Sequence, residues 1–317
     1  MCPEISVIIL NFNTNKYTID CVNSIIEKTG DGTTFEIIVV DNGSKVSAFG
    51  KLTEDLKPLD VTLVRSDVNL GFSGGLQAGI NHASGNYFFF LNNDSLLLND
   101  VLSEFITFSR QNTDAGVLGG QIFDEIEESR TSFGYQPTIS IKVFGHRILG
   151  LLRLGKFPSR KKANEIPIEV HLISGSGMFI SKVALEKIGG LDLNYFLYSE
   201  EEDLALRAQK TSYKNYYIPT ACYIHYQGKS SNEPTLSILE RQHRSLVYFY
   251  QKNYGSWYQK IVFMIMFLIY TLKSFRKKKH VNVIRAIRKA SKTTMEQIIQ
   301  EGSARKKYTQ MAYIVKD

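Results

Sequence analysis

Short apolar runs rich in β-branched and aromatic residues recur at 5–10, 35–40, 61–65 and 87–92, separated by segments of about helix length. That alternation predicts a parallel β-sheet with crossover helices, an α/β fold. Ligands of such sheets bind outside the carboxyl ends of the strands, so chemistry is expected where each run ends. Every exit is polar: Asn11 and Asn13, then Asp41-Asn42, then Asp67-Val68-Asn69, then Asn92-Asn93-Asp94. Residues 95–235 are less regular, with a Gly-rich apolar stretch at 172–180, a turn at Gly189-Gly190 and an acidic segment at 200–203. From about 236 the pattern becomes helical, aromatic and basic. The expected organisation is a body over 1–235 and a helical extension over 236–317, with no internal repeat and no low-complexity linker.

Composition changes this picture mainly through charge. The chain has 317 residues, 43% hydrophobic and 22% charged, which excludes a disordered class. Its net charge of +7 invites a nucleic-acid or anionic-membrane reading. The charge is not spread evenly, because residues 258–317 carry fourteen Lys and Arg against three acids, a net +11 that leaves −4 for the rest. A mildly acidic body without helix-turn-helix or RRM patterns argues against nucleic acid. Cys2, Cys21 and Cys222 form no CxxC pair and no zinc spacing, and read as reduced thiols of a cytoplasmic protein. The first apolar run has no basic lead-in, so no signal peptide is expected.

The strand exits narrow the chemistry. A carboxylate at Asp41 can accept a hydrogen bond from a nucleobase or ribose, although Asp-Asn-Gly-Ser is also good turn chemistry. Residues 69–79 place four glycines on a loop leading into a helix, which permits close approach of backbone to a phosphate or sugar. They lack the Lys-Ser/Thr of a P-loop and the GxGxxG spacing, which disfavours a kinase or dehydrogenase. Asn92-Asn93-Asp94 offers carboxamides and one carboxylate, a donor set for a hard divalent cation or, equally, a capped turn.

Taken in order, VIILNFN, VVDNGS, NLGFSGG, LNND, GSGMFI, FLYSEEEDLALRA and a later His225 resemble a family 2 inverting glycosyltransferase, particularly its bacterial rhamnosyltransferase-like branch. The resemblance covers roughly residues 4–230. It implies a GT-A fold, the Rossmann-like nucleotide-diphospho-sugar transferase architecture, with a C-terminal helical extension. It also implies that Asp41 binds the base, that Asn11 and Asn13 edge the nucleotide pocket, and that Asn69, Gly71 and Gly74 lie beside the donor. Asn92-Asn93-Asp94 matches the Asp-x-Asp metal motif, with Asp94 as the ligand of Mg²⁺ or Mn²⁺, Asn92 and Asn93 as polar contacts, and His225 completing the site. The family's Glu-Asp base pair becomes Glu200-Glu201 here, so Glu201 stands at the position of the general base and Glu200 is the alternative. Independently of the family, Ser199-x-x-Glu202 reads as a helix capping box, and Asp203 as an anchor of that helix.

The implied reaction moves a sugar from a nucleoside diphosphate, dTDP-rhamnose or a UDP-sugar, to a saccharide or lipid-linked acceptor in surface polysaccharide synthesis such as O-antigen. No covalent enzyme nucleophile is needed. In the extension, the apolar run at 261–272 would extend about 18 Å as a helix, short of a bilayer core. Flanked by Trp257-Tyr258 and by Lys273 and Arg276 to Lys279, it is expected to lie at an anionic membrane surface on the inner face of the cell membrane. Burial against the body or in a homo-oligomer is the other reading. A second basic, apolar stretch at 138–162 fits the same surface or a solvated loop. The competing class is a non-enzymatic basic module for lipid or nucleic acid.

Overall fold

The structure, a computed structural model, describes residues 3–126, 128–130, 132–141, 165–226 and 235–315. Its N-terminal half runs β1 (Ile5–Asn11), α1 (Asn15–Lys28), β2 (Phe35–Asn42), α2 (Val46–Leu56), β3 (Thr62–Ser66), α3 (Gly71–Ile80) and β4 (Tyr87–Asn92). The four strands are parallel, as the apolar runs predict, and the pairing places β2 and β4 on either side of β1 with β3 beyond β2. Alternate side chains serve opposite cores, because successive residues of a strand point to opposite faces. Val7 and Ile9 pack with Cys21, Val22 and Ile25 of α1, while Ile8 packs with Leu76 and Ala78 of α3.

The second half mixes directions. It comprises β5 (Ser95–Leu97), α4 (Val101–Gln111), β6 (Ala115–Phe123), β7 (Ser129–Arg130), β8 (Phe133–Gly134), β9 (Ile168–Val170), β10 (Leu172–Ile173), β11 (Gly177–Ser181), α5 (Lys182–Ile188), α6 (Glu200–Ala208) and β12 (Lys214–His225). β11 joins β4 antiparallel, and β12 pairs parallel with β6 and antiparallel with β5.

The C-terminal elements are α7 (Thr235–Tyr254), α8 (Ser256–Ser274), α9 (His280–Ala290), α10 (Met295–Met311) and β13 (Tyr313–Ile314). Helices α7 to α9 share an aromatic core built on Phe249, Tyr250, Phe263 and Ile287, which also takes in Tyr195 from the body. Helix α10 packs on α3, and β13 pairs antiparallel with β3, so the main sheet reads β13-β3-β2-β1-β4-β11-β6-β12-β5. The extension is therefore stitched into the edge of the sheet rather than appended to it.

The expected twelve-residue apolar helix is the interior of the 19-residue α8, about 28 Å long. It is not apolar all round in its contacts: Val262, Phe263 and Met266 are buried, while the opposite face is exposed. Among the described residues no helix is long and apolar enough to cross a membrane. Cys21 is buried and Cys222 half-buried, both free thiols. Cys2 and residues 142–162 of the second basic stretch lie outside the described residues.

Candidate active site

In-register parallel pairing sets Asn11 beside Asp41 and Asp41 beside Arg65 at the carboxyl ends of β1, β2 and β3. Asn11 Nδ2 donates to Asp41 Oδ1 at 2.9 Å, and Thr18 Oγ1 donates to Asn11 Oδ1 at 2.9 Å. The Arg65 guanidinium forms an ion pair with Asp41 Oδ2 and lies over the Phe49 ring, 3.8 Å from its centroid. The Ser44 backbone N–H also donates to Asp41 Oδ2. Asp41 is fully buried, so its carboxylate is fixed by three donors before any ligand is considered. Asn13 holds φ at +57°, its N–H donating to Ser44 Oγ and its Oδ1 accepting from the Lys45 N–H, which clips the β1 and β2 exits together. Arg65 and Ser44 were not singled out by the sequence, although Arg65 closes the third apolar run.

The glycine run differs from expectation. It is helical from Gly71 onward, and its glycines are used for contacts within the protein rather than for an open backbone. A Cβ on Gly71, at φ +72°, would stand 2.1 Å from Phe196 O, and the Phe72 N–H donates to that same oxygen at 2.7 Å. A Cβ on Gly74 would meet Leu70, and one on Gly79 would meet Ile8 in β1. Asn69 Oδ1 accepts from the Gly71 N–H, and Asn42 holds both the Leu70 N–H and Gly71 O.

At the β4 exit, Asn93 is buried and donates to Thr14 and Thr18 Oγ1, a structural tie to the start of α1. Asp94 and His225 come together as the sequence expects: antiparallel pairing of β12 with β5 sets His225 opposite Ser95, and His225 Nε2 is 3.2 Å from Asp94 Oδ1. Asn92 Nδ2 lies 3.3 Å from the same ring nitrogen. The Asn92 N–H donates to Ser176 O, which attaches the 174–176 loop to this end of the sheet.

That loop leads to the acidic helix. A Cβ on Gly175 would lie 3.8 Å from both the Glu201 Cδ and the Phe72 ring, so the Glu201 carboxyl faces the loop and an aromatic edge. Glu200 is buried, and Oε2 of Glu200 and Oε2 of Glu201 are buried without a hydrogen-bond partner among the described residues. Burial, with Glu202 nearby, pushes the Glu200 carboxyl up to about 8. Burial, then the charges of Glu202 and Glu200, push Glu201 well above the carboxylate range. A carboxyl of raised affinity for protons suits a group that takes one from an acceptor hydroxyl.

The capping box expected at Ser199 is absent. Ser199 sits at φ +67° and its side chain makes no cap bond; Tyr198 before it is also left-handed. Asp203 does anchor the helix: fully buried, it accepts from Arg207 Nε at 2.8 Å and Lys252 Nζ at 2.7 Å. Burial alone would raise its pKa, but the two cations overcome that and hold it below the usual range.

Comparison with known proteins bears on the fold and the family. The hexosyltransferase Agl10 of Haloferax volcanii is 27% identical over 219 residues, 66% of this chain and 63% of that protein. An N-acetylglucosaminyl-diphospho-decaprenol L-rhamnosyltransferase of Mycobacterium tuberculosis is 30% identical over 87 residues, 27% of this chain and 28% of its own. The chain spans less than half the length of several of the curated glycosyltransferases it matches. Among solved structures, the mannosyltransferase PcManGT of Pyrobaculum calidifontis, in complex with GDP-Man and Mn²⁺, superposes with a TM-score of 0.52 at 15% identity, covering 96% of this chain and 87% of that one. The GT-A fold implied by the motifs is thus present, with helices added at its C-terminal end. The sequence model described as Glycosyl transferase family 2 matches residues 6–189, more than half the chain, and the protein belongs to that family.

Proposed function

We propose that the protein is an inverting glycosyltransferase that moves a sugar from a nucleoside diphosphate to a saccharide or lipid-linked hydroxyl, with Glu201 as general base. The observation that carries this reading is convergence. Asn11, Asp41 and Arg65 align at the carboxyl ends of three parallel strands, Asp94 and His225 meet at the fourth, and the 174–176 loop connects that end to Glu201.

In this reading Asp41, fully buried and held by Asn11, Arg65 and the Ser44 N–H, fixes the floor of the pocket that takes the base or ribose of the donor. Asp94 and His225, with the Asn92 carboxamide beside them, would hold a divalent cation. Among the described residues no three His, Cys, Asp or Glu side chains cluster as a self-sufficient metal site. Two side chains and a carboxamide would leave a hard cation such as Mg²⁺ or Mn²⁺ open to a substrate's oxygens, and the Mn²⁺ complex of a fold neighbour supports this reading. Such an ion, held by Asp94 and His225, would supply positive charge to a diphosphate leaving group. Glu201 takes the proton of the acceptor hydroxyl as that oxygen attacks the anomeric carbon from the face opposite the leaving group. The similarity to an L-rhamnosyltransferase whose name carries a lipid diphosphate acceptor supports a rhamnosyl donor such as dTDP-rhamnose, beside UDP-sugars, and a lipid-linked acceptor of the kind used in surface polysaccharide synthesis.

The test is Asp94→Ala in a transfer assay with a nucleotide-sugar panel and Mn²⁺. A loss of about 10²-fold or more in turnover is expected. Full turnover of the variant in chelator-treated enzyme would remove the metal from the mechanism.

A further inference from the structure

Helix α8 carries an exposed apolar stripe that no part of the mechanism uses. Trp257, Ile261, Met264, Leu268, Leu272 and Phe275 recur at spacings of three and four, so they lie on one face over the whole helix. The ends are the most open, with Trp257 78% and Phe275 83% exposed. The other face is committed, since Val262, Phe263 and Met266 lie in the core shared with α7 and α9. A helix fixed along one side cannot turn upright into a bilayer, but it can lie flat and offer the opposite side.

The charge around the stripe selects its partner. Residues 256–295 contain ten Lys and Arg and no acid. Lys260 stands over the Trp257 ring, Lys273 ends the helix, and Arg276 to Lys279 follow in a fully exposed cluster. Of the four other cations in this segment, Lys289 is paired with Glu240, Arg288 lies over Phe267, and Arg285 and Lys292 are exposed singly later in the chain, so the one contiguous cluster is at the C-terminal end of the stripe. A second copy meeting this face would bring like charges together, whereas an acidic lipid surface complements both the apolar row and its cations.

We propose that the exposed face of α8, with the basic cluster that follows it, docks the protein flat on an anionic lipid bilayer. Trp257 and Phe275 enter at headgroup depth, with Leu268 and Leu272 between them. This holds independently of which sugar the enzyme transfers.

Trp257 is the chain's sole tryptophan, so intrinsic emission reports the docking directly. The full chain is titrated with vesicles of equal parts phosphatidylcholine and phosphatidylglycerol, and with phosphatidylcholine alone, following emission and co-sedimentation. Expected are a blue shift and co-sedimentation with the anionic vesicles, weaker by about tenfold or more without phosphatidylglycerol. A Leu268→Glu, Leu272→Glu double variant changes only exposed side chains; it should lose about tenfold or more in vesicle affinity with unchanged circular dichroism. Lys277→Gln, Lys278→Gln and Lys279→Gln together should lose as much. The proposal is overturned if either variant binds like the parent, or if Trp257 emission does not move. It is also overturned if the parent ignores vesicles and is instead a dimer that the double variant dissociates, which would assign the face to a second copy.

Discussion

Two consecutive non-glycine residues, Tyr198 and Ser199, hold positive φ immediately before the acidic helix. A left-handed L-residue costs on the order of 1 kcal/mol, and here neither position gains a cap in return. Ser199→Gly should therefore raise stability by about 1 kcal/mol, some 2 °C in melting temperature for a chain of this size, while lowering turnover if the strain aims Glu201. Thermal melts beside transfer rates check both halves. Glu200 carries a second residue-level consequence. Its folded pKa of about 8 lies above the ordinary carboxylate value, so the folded chain keeps a proton that the unfolded chain releases. Stability should then fall as pH rises from the carboxylate range to about 8, and Glu200→Gln should flatten that slope. Transfer should also quicken as pH rises above the ordinary carboxylate range, because the raised Glu201 carboxyl must lose its proton to act as base. These features were invisible in the sequence: Ser199-x-x-Glu202 spells a capping box, and only the backbone angles show that it does not form.

Among the elements, α6 is held from behind by the C-terminal helices. Lys252 of α7 reaches Asp192 and Asp203, and Ser245 donates to Leu197 O. From α10, Arg305 donates to Leu193 O and Asn194 O, and Gly302 comes so near Asn194 that a Cβ would stand 2.0 Å from its Oδ1. The segment bearing Tyr198 and Ser199 is thus clamped between two helices that a sequence reading treats as a tail. Asp203→Ala should cost about 3 kcal/mol by leaving Arg207 and Lys252 without their shared carboxylate, measured by denaturant melts. Arg305→Ala should lower kcat while leaving nucleotide affinity intact, and Arg305→Lys should recover part of it. The first four strands and their exits were legible because the parallel strands are continuous apolar runs. Strand β11 joins antiparallel from far along the chain and β13 has two residues, so neither leaves a period to read. The Asp41–Arg65 pair follows from register, which no local pattern records.

For the whole molecule, the net +7 separates into a mildly acidic body that carries the site and an extension that carries the positive charge. The extension serves both faces, bracing the segment before Glu201 on one side and presenting the α8 stripe on the other. The central claim is that Glu201 takes the acceptor proton at a nucleotide-sugar site. It is tested most directly by single-turnover transfer from a panel of UDP-, dTDP- and GDP-sugars with Mn²⁺, comparing the parent with Glu201→Gln at saturating donor. The account predicts that the variant still binds nucleotide and loses transfer by about 10²-fold or more, with no recovery at higher pH. Normal transfer by Glu201→Gln, with loss in Glu200→Gln instead, would contradict it.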